Sequence, residues 1–244
     1  IYCNSLTSIS LSENLTSIGS SAFSGCSSLT SIDIPESVTS IGHNVFSDCS
    51  SLTSIDIPDG VTLIGGFSGC SSLTSISLPE NLTSIGGYAF SGCSSLTSIN
   101  IPDGVTAIGY AAFSGCSSLV SISLPENLTS IGDYTFSGCS SLTSISLSKN
   151  LSSIGSSAFS GCSSLTSIDI PDGVTVIGNY AFDGCTSLSN IYCMPSTPPI
   201  LEGIYAFYNN ASDRKIHVKS TSLDAYKHAR YWWEYGDYIV GDLE

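Results

Sequence analysis

Apolar residues fall at Leu29, Ile32, Ile34, Val38, Ile41, Phe46 and Cys49, and they recur at Leu52, Ile55, Ile57, Val61, Ile64, Phe67 and Cys70. Neither a helical period nor a sustained alternation runs through this spacing. It suits one coil of a solenoid. In "TSIDI" Ile32 and Ile34 point inward while Ser31 and Asp33 point outward, which predicts a short strand. "IPDG" or "LPEN" follows, where Pro and then Asp-Gly or Glu-Asn favour a tight turn. A second stretch, "VTSIG", ends in a glycine found in every unit, at 19, 42, 65, 86, 109, 132, 155 and 178. That glycine predicts a backbone angle that other residues adopt only at a cost. The glycine before each cysteine is replaced once, by Asp48, and Asp tolerates the left-handed region, so "FSGC" predicts a turn.

The cysteines carry the period. They stand at 3, 26, 49, 70, 93, 116, 139, 162 and 185, spaced by 23 residues except for one step of 21, and only Cys193 falls out of step. The short step arises where "GGFSGC" lacks two residues of "GGYAFSGC", in the outer part of the coil, which predicts that strand pairing survives it. Stacked coils would place their strands in a parallel sheet about 4.8 Å apart, in a rod roughly 40 Å long. No coil can bury its apolar residues alone, so neighbours must close each other's core. Residues 1–193 are expected to form this solenoid. Residues 194–244 are expected to form a degenerate last repeat and a cap, with a last strand, a Ser cap and a short helix whose Leu223, Tyr226 and Trp233 cover the exposed end. "CNSL" at Cys3 matches "CSSL" at Cys26, so the chain is expected to be a piece of a longer protein.

Composition narrows the partners. With 41% apolar and 11% charged residues in 244, the chain can bury a core, and its net charge is -14. Residues 1–193 hold thirteen acids and one base, Lys149. Such a surface repels phosphate backbones and anionic membranes, which excludes nucleic acid as a partner. No apolar run is long enough to insert in a bilayer.

Candidate chemistry is sparse. The repeated cysteines read as a ladder of small buried thiols, with disulfides between coils or metal as the alternative. His43, His217 and His228 do not recur, no nucleophile elbow or phosphate loop is present, and neither an enzyme nor a cofactor is expected. The outward strand residues, such as Ser54 and Asp56 or Ser121 and Ser123, form a hydrophilic face without aromatic residues before Tyr192. Glu36, Asp59, Glu80, Asp103 and Glu126 repeat along one edge, where like charges repel and attract cations, which predicts loose calcium binding or else a solvated turn edge. The units diverge after each repeated glycine. There Tyr88, Tyr110, Tyr134 and Tyr180 are expected to form an exposed file suited to contact. Trp232 and Trp233, with their neighbouring tyrosines, make a second candidate patch, as cap or as contact.

At "LTSIDIP", "SIG" and "AFSGCSSL" the whole chain resembles the BspA-like branch of the leucine-rich-repeat proteins. Leu29, Ile32 and Ile34 match the family's apolar core, but Ser37, Gly60, Asn81 or Gly104 fill its usual Asn or Cys ladder position, and the cysteine sits at the far corner of the coil. The resemblance implies a right-handed leucine-rich-repeat solenoid with one parallel β-sheet on the concave face, a convex side of irregular chain and short strands with little helix, and a small C-terminal cap of a strand plus a helix. It also implies a cell-surface or secreted module that attaches to host or neighbouring-cell protein or glycan. An architectural spacer, holding another domain away from the cell, is the alternative that the near-identical units favour.

Overall fold

The computed structural model describes residues 3–244, and these wind into a parallel-strand solenoid of about ten coils. Most coils contribute two short strands. The first is the expected one, as in Ser54–Asp56, Ser75–Ser77, Ser98–Asn100, Ser121–Ser123 and Ser144–Ser146. The second lies in the "VTSIG" stretch, as in Ser84–Ile85, Ala107–Ile108, Ser130–Ile131 and Ser153–Ile154. Both arise because "TSI" buries Ile and leaves the hydroxyl residue outside. Strands pair in parallel with the same position one coil on, Ser121 with Ser144 and Ser130 with Ser153. The shortened coil keeps this pairing with the coil after it, through Ser54 with Ser75 and Leu63 with Ser84.

Inside, one phenylalanine per coil forms a continuous stack from Phe23 to Phe207, with ring centroids 5.2–5.6 Å apart and planes within 20° of parallel. Burying each ring contributes about 2–3 kcal/mol, and it can be buried only when a coil lies on both sides. The thiols run beside this stack. Each from Cys49 to Cys185 donates to the backbone carbonyl of the phenylalanine one coil back, at 3.1–3.2 Å. All ten cysteines are free, and all but Cys3 are buried.

The far corner contains no helix. Ala112 N donates to Gly109 O, Ser114 N to Ala111 O, Cys116 N to Phe113 O and Leu119 N to Cys116 O, at 3.0–3.3 Å. These are successive tight turns. Left-handed residues at Ala111, with φ of 52°, and Gly115, with φ of 74°, keep them from propagating as a helix. The glycines before the cysteines have φ of 72–75°, and Asp48 has 61°, as the exception predicts.

The other glycine ladder has a different cause from the one expected. None of Gly19, Gly42, Gly65, Gly86, Gly109, Gly132, Gly155 and Gly178 is left-handed. Crowding decides several of them instead. A Cβ on Gly109 would stand 2.4 Å from Gly87 N, and one on Gly178 would stand 2.3 Å from Ser156 N. At Gly19 a Cβ would meet nothing within 4 Å. Gly178→Ala is therefore expected to cost about 2–3 kcal/mol, because backbone must give way. Gly19→Ala should fall within about 0.5 kcal/mol of the parent or stabilise slightly. Urea midpoints check the pair, and equal shifts would refute crowding as the cause.

The end of the solenoid is closed by the tail. Lys215–Lys219 pairs with Asn190–Cys193, and Ile239–Leu243 pairs in turn with Lys215–Lys219. Between them run α1 (Leu223–His228) and a 3-10 segment, Trp232–Tyr238. Tyr226 and Trp232 are fully buried, whereas Trp233 is 52% exposed. The expected covering face is thus corrected from Trp233 to Trp232. The helix stops at His228, Ala229 is extended, and Tyr231 is left-handed with φ of 66°, so the following residues lose the phase of the helix and Trp232 turns inward. Trp232 then lies 5.7 Å from Phe207, and Tyr235 lies 5.5 Å from it, ending the ring stack.

Candidate binding surface

Of the tyrosines that the units present after each glycine, Tyr88 is 52%, Tyr110 45%, Tyr134 41% and Tyr180 39% exposed. They do not form one unbroken file. Tyr88, Tyr110 and Tyr134 are contiguous, with rings 5.2 and 5.4 Å apart and tilted by 58° and 50°. Ser156 and Ser157 occupy the next coil. Tyr180 then begins a second group, stacked 5.0 Å from Tyr205, which meets Tyr208 edge-on at 5.3 Å. Tyr205 is legible as the "YAF" echo of residues 88–90; Tyr208 has no counterpart in the repeat.

The backbone under these tyrosines is unusual. Tyr88, Tyr134 and Tyr180 have φ of 56°, 57° and 59°. The corresponding positions elsewhere hold Ser21, Asn44, Gly66, Ala111 and Ser157, also at positive φ. Asn or Gly takes this conformation at little cost, whereas a bulky residue pays on the order of 1–2 kcal/mol. Tyr110 reaches the file from one residue earlier, leaving Ala111 at the left-handed position. Partial desolvation, and then the neighbouring Tyr88, Tyr134 and Asp133, push the Tyr110 phenol above its ordinary pKa of 10.0.

The acid edge is exposed along its whole length, from Glu36 through Asp59, Glu80, Asp103 and Glu126. Its members are delivered one per coil and do not converge. Among the described residues no group of three His, Cys, Asp or Glu side chains is placed to hold a metal ion. Asp172, two residues before Val174, holds the same position in a later coil, and there Lys219 Nζ lies 3.0 Å from Asp172 Oδ1 and 3.2 Å from Ser196 Oγ, pairing with that carboxylate.

The thiol ladder is chemically quiet. Burial, ahead of repulsion between neighbouring thiols, pushes Cys49 up from 9.0 to about 12. Burial does the same to Cys116, also to about 12. Burial thus holds these thiols in the protonated form, which is the poor nucleophile.

The tail patch divides. Trp232 donates from Nε1 to Pro199 O at 2.7 Å and packs 4.9 Å from Tyr226 with no exposed surface, so it is a cap residue and not a contact residue. Trp233 remains outside, its Nε1 donating to Glu234 Oε1 at 2.9 Å. One polar cluster has no precursor in the repeat. The Tyr192 ring stacks 4.6 Å from His217, whose Nδ1 lies 2.9 Å from an Asp242 carboxylate oxygen and whose Nε2 lies 3.2 Å from Asn190 Oδ1. It ties the last three first-strand positions together across the coils, and only the pairing of the tail strands could reveal it.

The BspA type leucine-rich repeat region matches residues 1–120 and 106–229, in six copies. No curated protein matches the sequence. Among crystal structures, a leucine-rich repeat protein from Bacteroides ovatus is 39% identical over 84% of this chain, with a TM-score of 0.65, and the chain spans 59% of that protein. The Treponema pallidum leucine-rich repeat protein is 33% identical over 65% of this chain and 78% of its own, with a TM-score of 0.59. The pneumococcal vaccine antigen PcpA shares the fold at 19% identity, over 98% of this chain and 67% of its own, with a TM-score of 0.54. Two ladders of in-register parallel strands, a helix-free far corner with its cysteine, and the family match over most of the sequence agree: the chain belongs to the BspA-type leucine-rich-repeat family.

Proposed function

We propose that the chain is a non-catalytic binding module of a cell-surface or secreted protein, and that it mediates adhesion to a protein or glycan of a host or neighbouring cell. The observation that carries this reading is the exposed tyrosines, three of which, Tyr88, Tyr134 and Tyr180, stand on a left-handed backbone. A turn that served only the fold would hold a small residue or Asn there, as Ser21, Asn44, Gly66, Ala111 and Ser157 do. Three tyrosines in that conformation are more economically explained by what their rings touch. Family membership supports the same role, since leucine-rich repeats are scaffolds that present surfaces.

The test is a binding screen against extracellular-matrix proteins and host glycans, run beside a variant with Tyr88, Tyr110, Tyr134 and Tyr180 all changed to serine. Ser21 and Ser157 already occupy this position at φ of 58° and 54°, so the variant is expected to fold. A specific hit that falls by about tenfold or more in the folded variant is the expected result. Absence of any hit at high protein concentration would overturn the adhesive reading and leave the spacer, for which the near-identical coils and continuous ring stack are suited.

A further inference from the structure

Tyr88, Tyr110 and Tyr134 share their coils with Glu80, Asp103 and Glu126, and the second strand of each coil runs between the two. Seven or eight residues separate each carboxylate from its tyrosine, so the rows lie no more than about 26 Å apart. The strip between them is covered by small side chains such as Thr106 and Ala107, both exposed. Phenol rings border it on one side and carboxylates on the other, and no Lys or Arg occurs before Lys149.

Charge complementarity specifies the partner's sign. The aromatic row specifies more, because a guanidinium stacks flat on a ring while its N–H groups stay free for acceptors, and an ammonium does this less well. The same pairing occurs within the chain's own cap, at other tyrosines. The Arg214 guanidinium carbon lies 3.8 Å from the centre of the Tyr238 ring, and that of Arg230 lies 4.6 Å from the Tyr231 ring.

We propose that the partner recognised by this strip is an arginine-rich segment of another protein, with guanidinium groups on Tyr88, Tyr110 and Tyr134 and further cations over Glu80, Asp103 and Glu126. This rests on the tyrosine row being the binding surface. Oligo-arginine, oligo-lysine and oligo-glutamate peptides of equal length are the probes, titrated against the whole chain by fluorescence anisotropy.

Oligo-arginine should bind about tenfold tighter than oligo-lysine at about 0.15 M salt, and oligo-glutamate should not bind. Changing Tyr88, Tyr110 and Tyr134 to serine leaves the charge untouched and should weaken oligo-arginine about tenfold. Glu80→Gln with Asp103→Asn and Glu126→Gln should weaken it to a similar degree. Removing the same number of charges from the other strand face, by Asp33→Asn, Asp56→Asn and Asp169→Asn, should change it less than about twofold. An unchanged affinity in the tyrosine variant, equal losses in the two acid variants, or no binding at all overturns the proposal. Should a matrix protein or neutral glycan be lost with the tyrosines while oligo-arginine is not, the binding module stands and the cationic partner falls.

Discussion

Taken from neutral pH toward about pH 11, the chain is expected to lose its fold, and Cys116→Ala is expected to make that loss less steep. The cause is the thiol ladder. Burial pushes Cys116 from 9.0 to about 12 and raises Cys70, Cys93, Cys139 and Cys193 as well. Cys162 is raised first by its hydrogen bond to Cys185 and then by burial. A folded-state pKa above the unfolded one stabilises the fold fully below the unfolded value and loses that contribution as pH climbs toward the folded value. The window here therefore opens at about pH 9. Each thiol then removes about 1.4 kcal/mol per pH unit. Several together exhaust a typical domain stability of about 5–15 kcal/mol within roughly two units. Burial raises Tyr226 too, which adds loss in the same direction at higher pH.

Urea titrations at a series of pH values check this. Cys116→Ala should lower neutral stability by about 1 kcal/mol, through the lost bond to Phe90 O, yet reduce the slope of stability against pH by about 1.4 kcal/mol per unit. In the folded chain a thiol reagent should label Cys3 alone, the other nine reacting only in denaturant. Stability that stays flat to about pH 11, or rapid labelling of buried thiols, would sink the account.

Trp232→Ala should destabilise the chain by about 3–5 kcal/mol, while Trp233→Ala stays within about 0.5 kcal/mol. Trp232 covers Phe207, the last ring of the stack, packs on Tyr226 and satisfies the carbonyl of Pro199. Its removal opens a cavity and uncovers the solenoid end at once. Because each coil contacts only its neighbours, the damage should spread from that end. Amide exchange should rise in Lys215–Lys219 and Asn190–Cys193 well before it rises in Ser98–Asn100. Uniform loss of protection along the chain, or equal effects of the two tryptophans, would contradict the capping role.

The coil itself is legible in the amino-acid sequence. Leu29, Ile32, Ile34, Val38, Ile41, Phe46 and Cys49 repeat so regularly that only a stack of coils can bury them, and Asp48 in place of a glycine marks the left-handed corner. Exposure of Tyr88, Tyr110, Tyr134 and Tyr180 is legible too, because these positions vary while the scaffold does not.

Other features depend on distances between coils, which a linear pattern does not encode. Whether Gly178 serves backbone angle or close approach is decided by Ser156 N, 22 residues away. Which tryptophan caps the solenoid is decided by a left-handed Tyr231, since one residue of changed backbone rotates everything after it. The split of the tyrosine row follows from Ser156 and Ser157 only when the coils are stacked in register. Periodicity specifies which side of the chain is buried; what each buried or exposed group meets is set by the neighbour that the fold brings against it.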